Sequence, residues 1–271
     1  MELDSKNRNK VKYCPCNKSN KDGKFVPFKD HTRFGYCHSC EKSFRPDGFN
    51  YIQKPKRKKE HPKQYFEKKY LRRLLFDYKE EGNNFVYFLE RTLGPRETEK
   101  ILIKYKLGTG PRNSVIFPHI DSSNNIVALK YMTYNSTTGK RENLIWFDES
   151  IEYRHPVCLF GLHLINEETK FIGIVESEKT ACLMNYFHPH YTWLACGGSN
   201  GLKEDKIKPL DYKTIHLFPD NGKFEEWSNK AEKLKKSFPY MNIEVSRECE
   251  IWFEEGHIQK GDDIADYYLR L

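Results

Sequence analysis

No stretch of the 271-residue chain offers the roughly 20 consecutive apolar residues that a bilayer-spanning helix needs. The opening Met1-Glu-Leu-Asp-Ser-Lys6 lacks the apolar centre of a secretory signal, so a cytoplasmic protein with no membrane partner is expected. Gly-x-x-x-x-Gly-Lys-Ser/Thr does not occur, which excludes a P-loop motor within this sequence. Apolar content is modest at 38%, yet with 14% aromatics it suffices for a packed core. Wholesale disorder is thereby excluded. At this length the chain can hold two domains, or one domain and a small module.

Cysteine is present but unevenly placed. Cys14, Cys16, Cys37 and Cys40 crowd near the N-terminus, while Cys158, Cys182, Cys196 and Cys249 stand singly in apolar or helical settings. In a cytoplasmic chain this argues against a disulfide framework and for one metal site beside four unpaired thiols. Tyr13-Cys-Pro-Cys16 and Tyr36-Cys-His-Ser-Cys40 bracket an insert, Asn17 to Gly35, that reads as a β-hairpin between two knuckles. Four thiolates so spaced can close a tetrahedral structural zinc site and stabilise a piece too small to fold alone. The first knuckle is a tight Cys-x-Cys, so His31 and His38 are substitute ligands. A redox pair at Cys37 and Cys40 is the rival reading, but no βαβ pattern surrounds it.

The net charge of +8 is concentrated. Residues 51–75 carry ten Lys or Arg against two Glu, whereas the C-terminal third is balanced or acidic. A basic segment beside an acidic site suits a polyanion-handling protein, cations holding phosphates and carboxylates holding metal. Pro46, Pro55 and Pro62 with little apolar periodicity mark a tether. Helical spacing begins near Tyr65 with Phe66, Tyr70 and Leu74, and resumes over Asn84–Leu93 and about Glu97–Tyr105. Strands are expected at Ser114–Pro118 and Ile126–Tyr131.

The C-terminal half alternates strand and helix signals. Phe171-Ile-Gly-Ile-Val175 is a short apolar run that delivers Glu176, and helix formers follow at once. Thr192–Cys196 and Thr214–Phe218 are further strands, the latter ending in Pro219-Asp220. Phe224, Trp227, Ala231 and Leu234 form a helical apolar stripe, and Met241–Val245 is the next strand. Gly261-Asp-Asp-Ile-Ala-Asp266 adds a third acidic point. Such alternation implies a parallel sheet covered on both faces, with ligands at the carboxyl ends of its strands. Acids gathered there suit hard, oxygen-liganded magnesium or manganese. Gly197-Gly-Ser-Asn-Gly201 and Lys179 can approach a phosphate.

These motifs carry a resemblance. Cys14-Pro-Cys-Asn-Lys-Ser19, a β insert and Gly35-Tyr-Cys-His-Ser-Cys40 resemble the zinc ribbon that opens phage-type primase–helicases. That family's ribbon reads single-stranded template, which would let Phe25, Phe28, Phe34 and Tyr36 stack bases; the same rings can instead be the hairpin's own core. Residues 84–131, with Phe88-Leu-Glu-Arg-Thr-Leu-Gly94, Leu107-Gly108 and Val115-Ile-Phe-Pro118, are similar to the N-terminal half of bacterial primase cores. The resemblance implies that Lys130, Lys140 and Arg141 contact template or nucleotide. Glu176-Ser-Glu-Lys-Thr-Ala181 stands where the Toprim family has Glu-Gly-x-x-Asp-Ala, with Thr180 in place of an acid. Asp220-Asn-Gly222 stands where it has Asp-x-Asp, with Gly222 in place of the second.

The resemblance therefore implies an α/β protein: a zinc ribbon over 1–50, a basic linker over 51–64, an α+β primase-like segment over 65–165, and a Toprim domain over 166–271 with a mainly parallel, helix-covered sheet. It implies a primase of plasmid, phage or mobile-element type. Glu176, Asp220 and Asp262 or Asp263 would hold the catalytic metal, with Glu176 as general base. Single-stranded DNA and nucleoside triphosphates would be its partners, with a separate helicase. Two other readings stand beside it: a non-catalytic, zinc-dependent single-stranded DNA-binding module, and a Toprim nuclease.

Overall fold

A computed structural model describes residues 2–40, 42–45, 82–147, 158–198, 201–210 and 212–271. The basic linker and the helix expected from Tyr65 lie outside the described residues, as do Ser199 and Asn200 of the glycine-rich loop. The chain divides into two compact units, residues 1–62 and 63–271. Among the described residues no helix is long and apolar enough to cross a membrane.

The first unit is a small antiparallel sheet of β1 (Phe25–Pro27), β2 (Gly35–Cys37) and β3 (Lys42–Phe44) in the order β1-β2-β3. Its core is Phe25, Cys14 and Cys37. Asn20 replaces missing regular structure with side-chain bonds. Its Nδ2 donates to the carbonyls of Arg8, Val11 and Phe25, and its Oδ1 accepts from the Phe25 N–H. Phe25 and Phe28 are 0% and 6% exposed, so these two rings are core and are not available to stack bases. Phe34 and Tyr36 are half-buried.

The second unit holds two four-stranded sheets. Helices α1 (Asn84–Leu93) and α2 (Pro95–Tyr105) come first. Asn83 caps α1, its side chain accepting from the N–H groups of Phe85 and Val86. Gly94, at φ 85°, ends that helix, and Pro95 starts the next. Then β4 (Gly108–Gly110), β5 (Ser114–Ile120), β6 (Ile126–Tyr134) and β7 (Arg141–Phe147) form an antiparallel sheet in sequence order. Every residue of β5 is buried. Val115, Phe117, Met132 and Tyr134 meet α1 and α2 in the main core, while Ile116, Ile120, Ile126 and Leu129 form a cluster of their own.

The other sheet is wholly parallel. It comprises β8 (Phe171–Val175), β9 (Thr192–Ala195), β10 (Thr214–Leu217) and β11 (Asn242–Val245) in the order β11-β10-β8-β9. Connecting helices are α3 (Glu178–Phe187), the short α4 (Glu204–Ile207) and α5 (Phe224–Ser237); α6 (Glu248–Glu254) and α7 (Ile264–Tyr268) follow β11. The strand period of two divides the side chains. Val175, Trp193, Ala195 and Phe218 join α3 and α7 in the main core. Ile172, Ile174, Leu194, Ile215, Leu217 and Ile243 face Trp227, Ala231 and Leu234 of α5. Phe224, the fourth member of the expected stripe, is only half-buried and lies under the Arg247 guanidinium. Tyr105 of α2 stacks on Phe160 and donates its hydroxyl to the Trp193 carbonyl at 2.9 Å, joining the helical layer to the parallel sheet.

Candidate functional site

The N-terminal site is built by two turns. The Asn17 N–H bonds the Cys14 carbonyl with Asn17 at φ 64°, closing a turn at the first pair of thiols, and the His38 N–H bonds the Lys24 carbonyl across the β1–β2 pair, anchoring the second pair. The sulfurs of Cys14, Cys16, Cys37 and Cys40 all lie within 4.8 Å of one another. A tetrahedron with 2.3 Å zinc–sulfur bonds has edges of about 3.8 Å, so the four thiols suit one zinc ion. Burial and the neighbouring Cys16 push the Cys14 thiol up, whereas the hydrogen bond with Cys14 pulls Cys16 down to about 7.

The second site lies at the carboxyl edge of the parallel sheet. β8 ends at Val175, immediately before Glu176, and the adjacent β10 ends at Leu217, three residues before Asp220. The strands are in register, with Leu217 opposite Ile174 and the Phe218 N–H on the Ile174 carbonyl at 2.8 Å. Chain-distant Glu176 and Asp220 are thereby neighbours. A third segment is tied on by the Asn221 N–H, which bonds the Asp262 carbonyl at 2.9 Å. Asp263 then caps α7 in a capping box with Asp266, and its other carboxylate oxygen accepts the Thr180 hydroxyl. Thr180, which stands where the resemblance had an acid, thus orients one. Lys179 Nζ lies 3.9 Å from Asp266.

The charge is crowded. Burial, then repulsion from Asp263, Glu176 and Asp266, push the Asp220 carboxyl up to about 8, against a lowering pull from Lys179. Asp266 is raised by burial and by Asp263. A carboxyl raised by burial and by neighbouring acids marks a place where a cation would offset the repulsion. Oxygen donors and this electrostatic field fit a hard divalent ion. Yet among the described residues only the four cysteines form a metal-sized group within 4.8 Å; the acidic oxygens are spread wider.

Other expected residues are placed differently. Asp262 accepts from the Gln259 N–H and pairs with Arg270. Lys140 and Arg141 are exposed at the β6–β7 turn. Lys130 is buried, with Nζ 2.7 and 2.8 Å from the two carboxylate oxygens of Glu178. It is held by a carboxylate, where a phosphate contact was expected. Glu178 is fully buried and also lies 3.4 Å from His119 Nε2. Burial raises its carboxyl, but Lys130 and His119 together hold it well below the ordinary range. Two residues were missed by the sequence reading, Glu178 and Glu250. The Glu250 carboxylate accepts from the Gly222 N–H at 2.8 Å and from Asn221 Nδ2 at 2.9 Å, so a carboxylate from α6 lies against the backbone where the second Asp of the resemblance is missing. No motif marks either; 48 residues separate Lys130 from Glu178, and only the fold pairs them.

Fold and site together define an α/β chain with a four-thiol module and a carboxylate cluster at the edge of a parallel sheet. The family model described as Domain of unknown function (DUF6371) matches residues 83–221, half of the chain, and the chain belongs to that family. The matched span contains Glu176 and Asp220. Among solved structures, the primase fragment of the bacteriophage T7 primase-helicase protein is similar at 15% identity and a TM-score of 0.47, covering 96% of this chain and 93% of that one. The zinc-binding and RNA polymerase domains of Aquifex aeolicus primase match at 14% identity and 0.49, covering 74% and 57%. The RNA polymerase domain of Mycobacterium tuberculosis primase DnaG matches at 10% and 0.45, covering 75% and 79%. At such values the likeness assigns no role to any residue. No curated protein matches the sequence.

Proposed function

We propose that the chain is a primase-like nucleotidyltransferase that makes short primers on single-stranded DNA, with residues 166–271 as its Toprim domain, 65–165 as the primase-core segment, 51–64 as a basic linker and 1–50 as a zinc ribbon. The observation that supports it is the meeting of Glu176, Asp220 and Asp263, from three distant segments, at the carboxyl edge of one parallel sheet. Magnesium or manganese, held by Glu176, Asp220 and Asp263, would supply charge stabilisation for phosphoryl transfer. Glu176 takes the proton of the attacking 3′-hydroxyl as its oxygen bonds to the α-phosphorus and the bond to pyrophosphate breaks. Asp263 is held in place by the Thr180 hydroxyl and by its own helix cap. Lys179 offers a cation to the departing phosphates. The zinc ribbon and basic linker hold template, and a separate helicase supplies it.

A second reading is favoured by one observation: the acidic oxygens are more widely spread than the thiols. On that reading the fold binds single-stranded DNA through its zinc module and basic segments without catalysis. The deciding experiment incubates zinc-loaded protein with mixed-sequence single-stranded DNA, magnesium or manganese and labelled nucleotides, beside Glu176→Ala and Asp220→Ala. Short oligomers that vanish in both variants establish the enzyme. Intact DNA binding with no product under any condition leaves the binding module.

A further inference from the structure

Apart from the acidic edge, the second unit contains a cavity of about 430 Å³ on the α3/α7 face of the parallel sheet, and nothing in the proposed chemistry uses it. Its origin is legible in the strands. Gly173 of β8 has no Cβ; one added there would lie 2.5 Å from the Trp193 ring, so glycine lets that indole lie over the sheet. His216 and Phe218 share the face by the period of two, and Tyr191 and Tyr268 close the sides.

The walls combine aromatic rings, each tilted by 48–49° from the next, with a line of hydrogen-bonding groups. Ring centroids of Tyr191 and Trp193 are 5.2 Å apart, and those of Trp193 and Phe218 are 4.9 Å apart. Across this surface the Tyr191 hydroxyl meets His216 Nδ1 at 2.5 Å, and His216 Nε2 lies 3.7 Å from the Glu244 carboxylate. His188 also lines the cavity, and its Nε2 is buried with no hydrogen-bond partner among the described residues. Glu248 adds a second carboxylate, and neither Lys nor Arg is among the described lining residues. A purely apolar ligand would leave the buried His188 Nε2 without a partner, and a phosphate would meet two carboxylates and no cation. A planar heteroaromatic with N–H donors on its edge satisfies both walls and carboxylates, and the volume falls in the range of small-ligand sites.

We propose that this cavity is a nucleobase pocket that takes an amino-bearing base, adenine, cytosine or guanine, from a nucleotide or from a single strand. Two wall residues connect it to the acidic edge: Phe218 stands two residues before Asp220, and Ile264 directly follows Asp263. A base seated here would direct its phosphates toward that edge. This last point rests on the proposed function; base binding itself does not.

The test titrates full-length, zinc-loaded protein with adenosine, cytidine, guanosine and uridine without added magnesium or manganese, following histidine and tyrosine ring signals by NMR. Short oligodeoxynucleotides form a second arm. Amino-bearing nucleosides should bind saturably with shifts of the His216 and Tyr191 rings, and His216→Ala or Glu244→Gln should weaken binding about tenfold, the loss of one hydrogen bond. Glu176→Ala should leave it unchanged. Ring shifts seen only with oligomers would assign the base to a strand; shifts with nucleosides would assign it to a free nucleotide. No shift with any nucleoside or oligomer at millimolar concentration, or binding that survives both cavity variants, overturns the pocket. Because Glu176→Ala spares the pocket and His216→Ala spares the acids, failure of the pocket and failure of primer synthesis are told apart.

Discussion

Lys130 of β6 and Glu178 of α3 form a buried ion pair, at 2.7 and 2.8 Å, that joins the antiparallel sheet to the helix beginning two residues after Glu176. The pair fixes where α3 starts relative to the antiparallel sheet, and so how Glu176 is presented. Removing Lys130 leaves the buried Glu178 carboxylate with His119 in place of a full positive charge.

Lys130→Met should therefore cost about 3–5 kcal/mol of stability, and the double substitution Lys130→Met with Glu178→Leu should recover most of it. Denaturant midpoints of the single and double variants measure this. A single variant as stable as wild type would remove the pair from the account of the fold.

Gly173 of β8 lies directly against the Trp193 ring. Gly173→Ala should destabilise by about 1–3 kcal/mol, because the new methyl meets the Trp193 ring and neither the strand nor the buried indole can yield freely. Thermal unfolding, with near-ultraviolet dichroism reporting the indole, gives the answer.

Asp220 carries the opposite sign to most surface acids. Its folded value is raised, so the metal-free protein keeps this group's contribution below the ordinary carboxylate range and loses it as pH rises toward about 8. Asp220→Asn should flatten that decline and stabilise the metal-free protein above neutrality, while abolishing any stabilisation by magnesium. Unfolding curves across pH, with and without magnesium, report both effects.

His163, on the turn Leu162–Leu164, gives the pH dependence on the acid side. Burial pushes its imidazole down to about 4, against the raising effect of its contact with the Lys104 carbonyl. The neutral form is favoured in the fold, so its contribution is present above the ordinary histidine value and lost as pH falls from there toward about 4. With discounting for partial exposure the loss is on the order of 1–2 kcal/mol. His163→Asn should remove that part of the slope between pH 7 and 4 in urea titrations.

Chelation should act on one unit. The core of residues 2–45 is small, the thiols with Phe25, Val26 and Phe28, so removing zinc, or replacing Cys37 and Cys40 by Ser, should collapse the NMR dispersion of that segment and spare the second unit. Cobalt substitution should give a tetrahedral thiolate spectrum with one ion per chain.

Much of the architecture was written locally. The apolar run Phe171–Val175 ending in Glu176, the stop at Gly94-Pro95 and the stripe Trp227, Ala231 and Leu234 are short-range patterns, and helices and strands form where such periods occur. The paired knuckles are equally local, since two turns present two thiols each. Candidate residues depended on more. Lys130 reads as one more cation among many, and nothing in the sequence says that it turns inward.

What the sequence determined by itself was which residues form elements and which side of each is apolar, because those follow from period and turn chemistry over a few residues. What only the tertiary structure decided was which charges meet. Asp263 joined Glu176 and Asp220 while its neighbour Asp262 turned to Arg270, Glu250 reached the backbone of Gly222, and Lys130 was enclosed with Glu178. Electrostatic partnership depends on distance in space and on exclusion of water, and both exist only once strand order and packing have brought remote segments together.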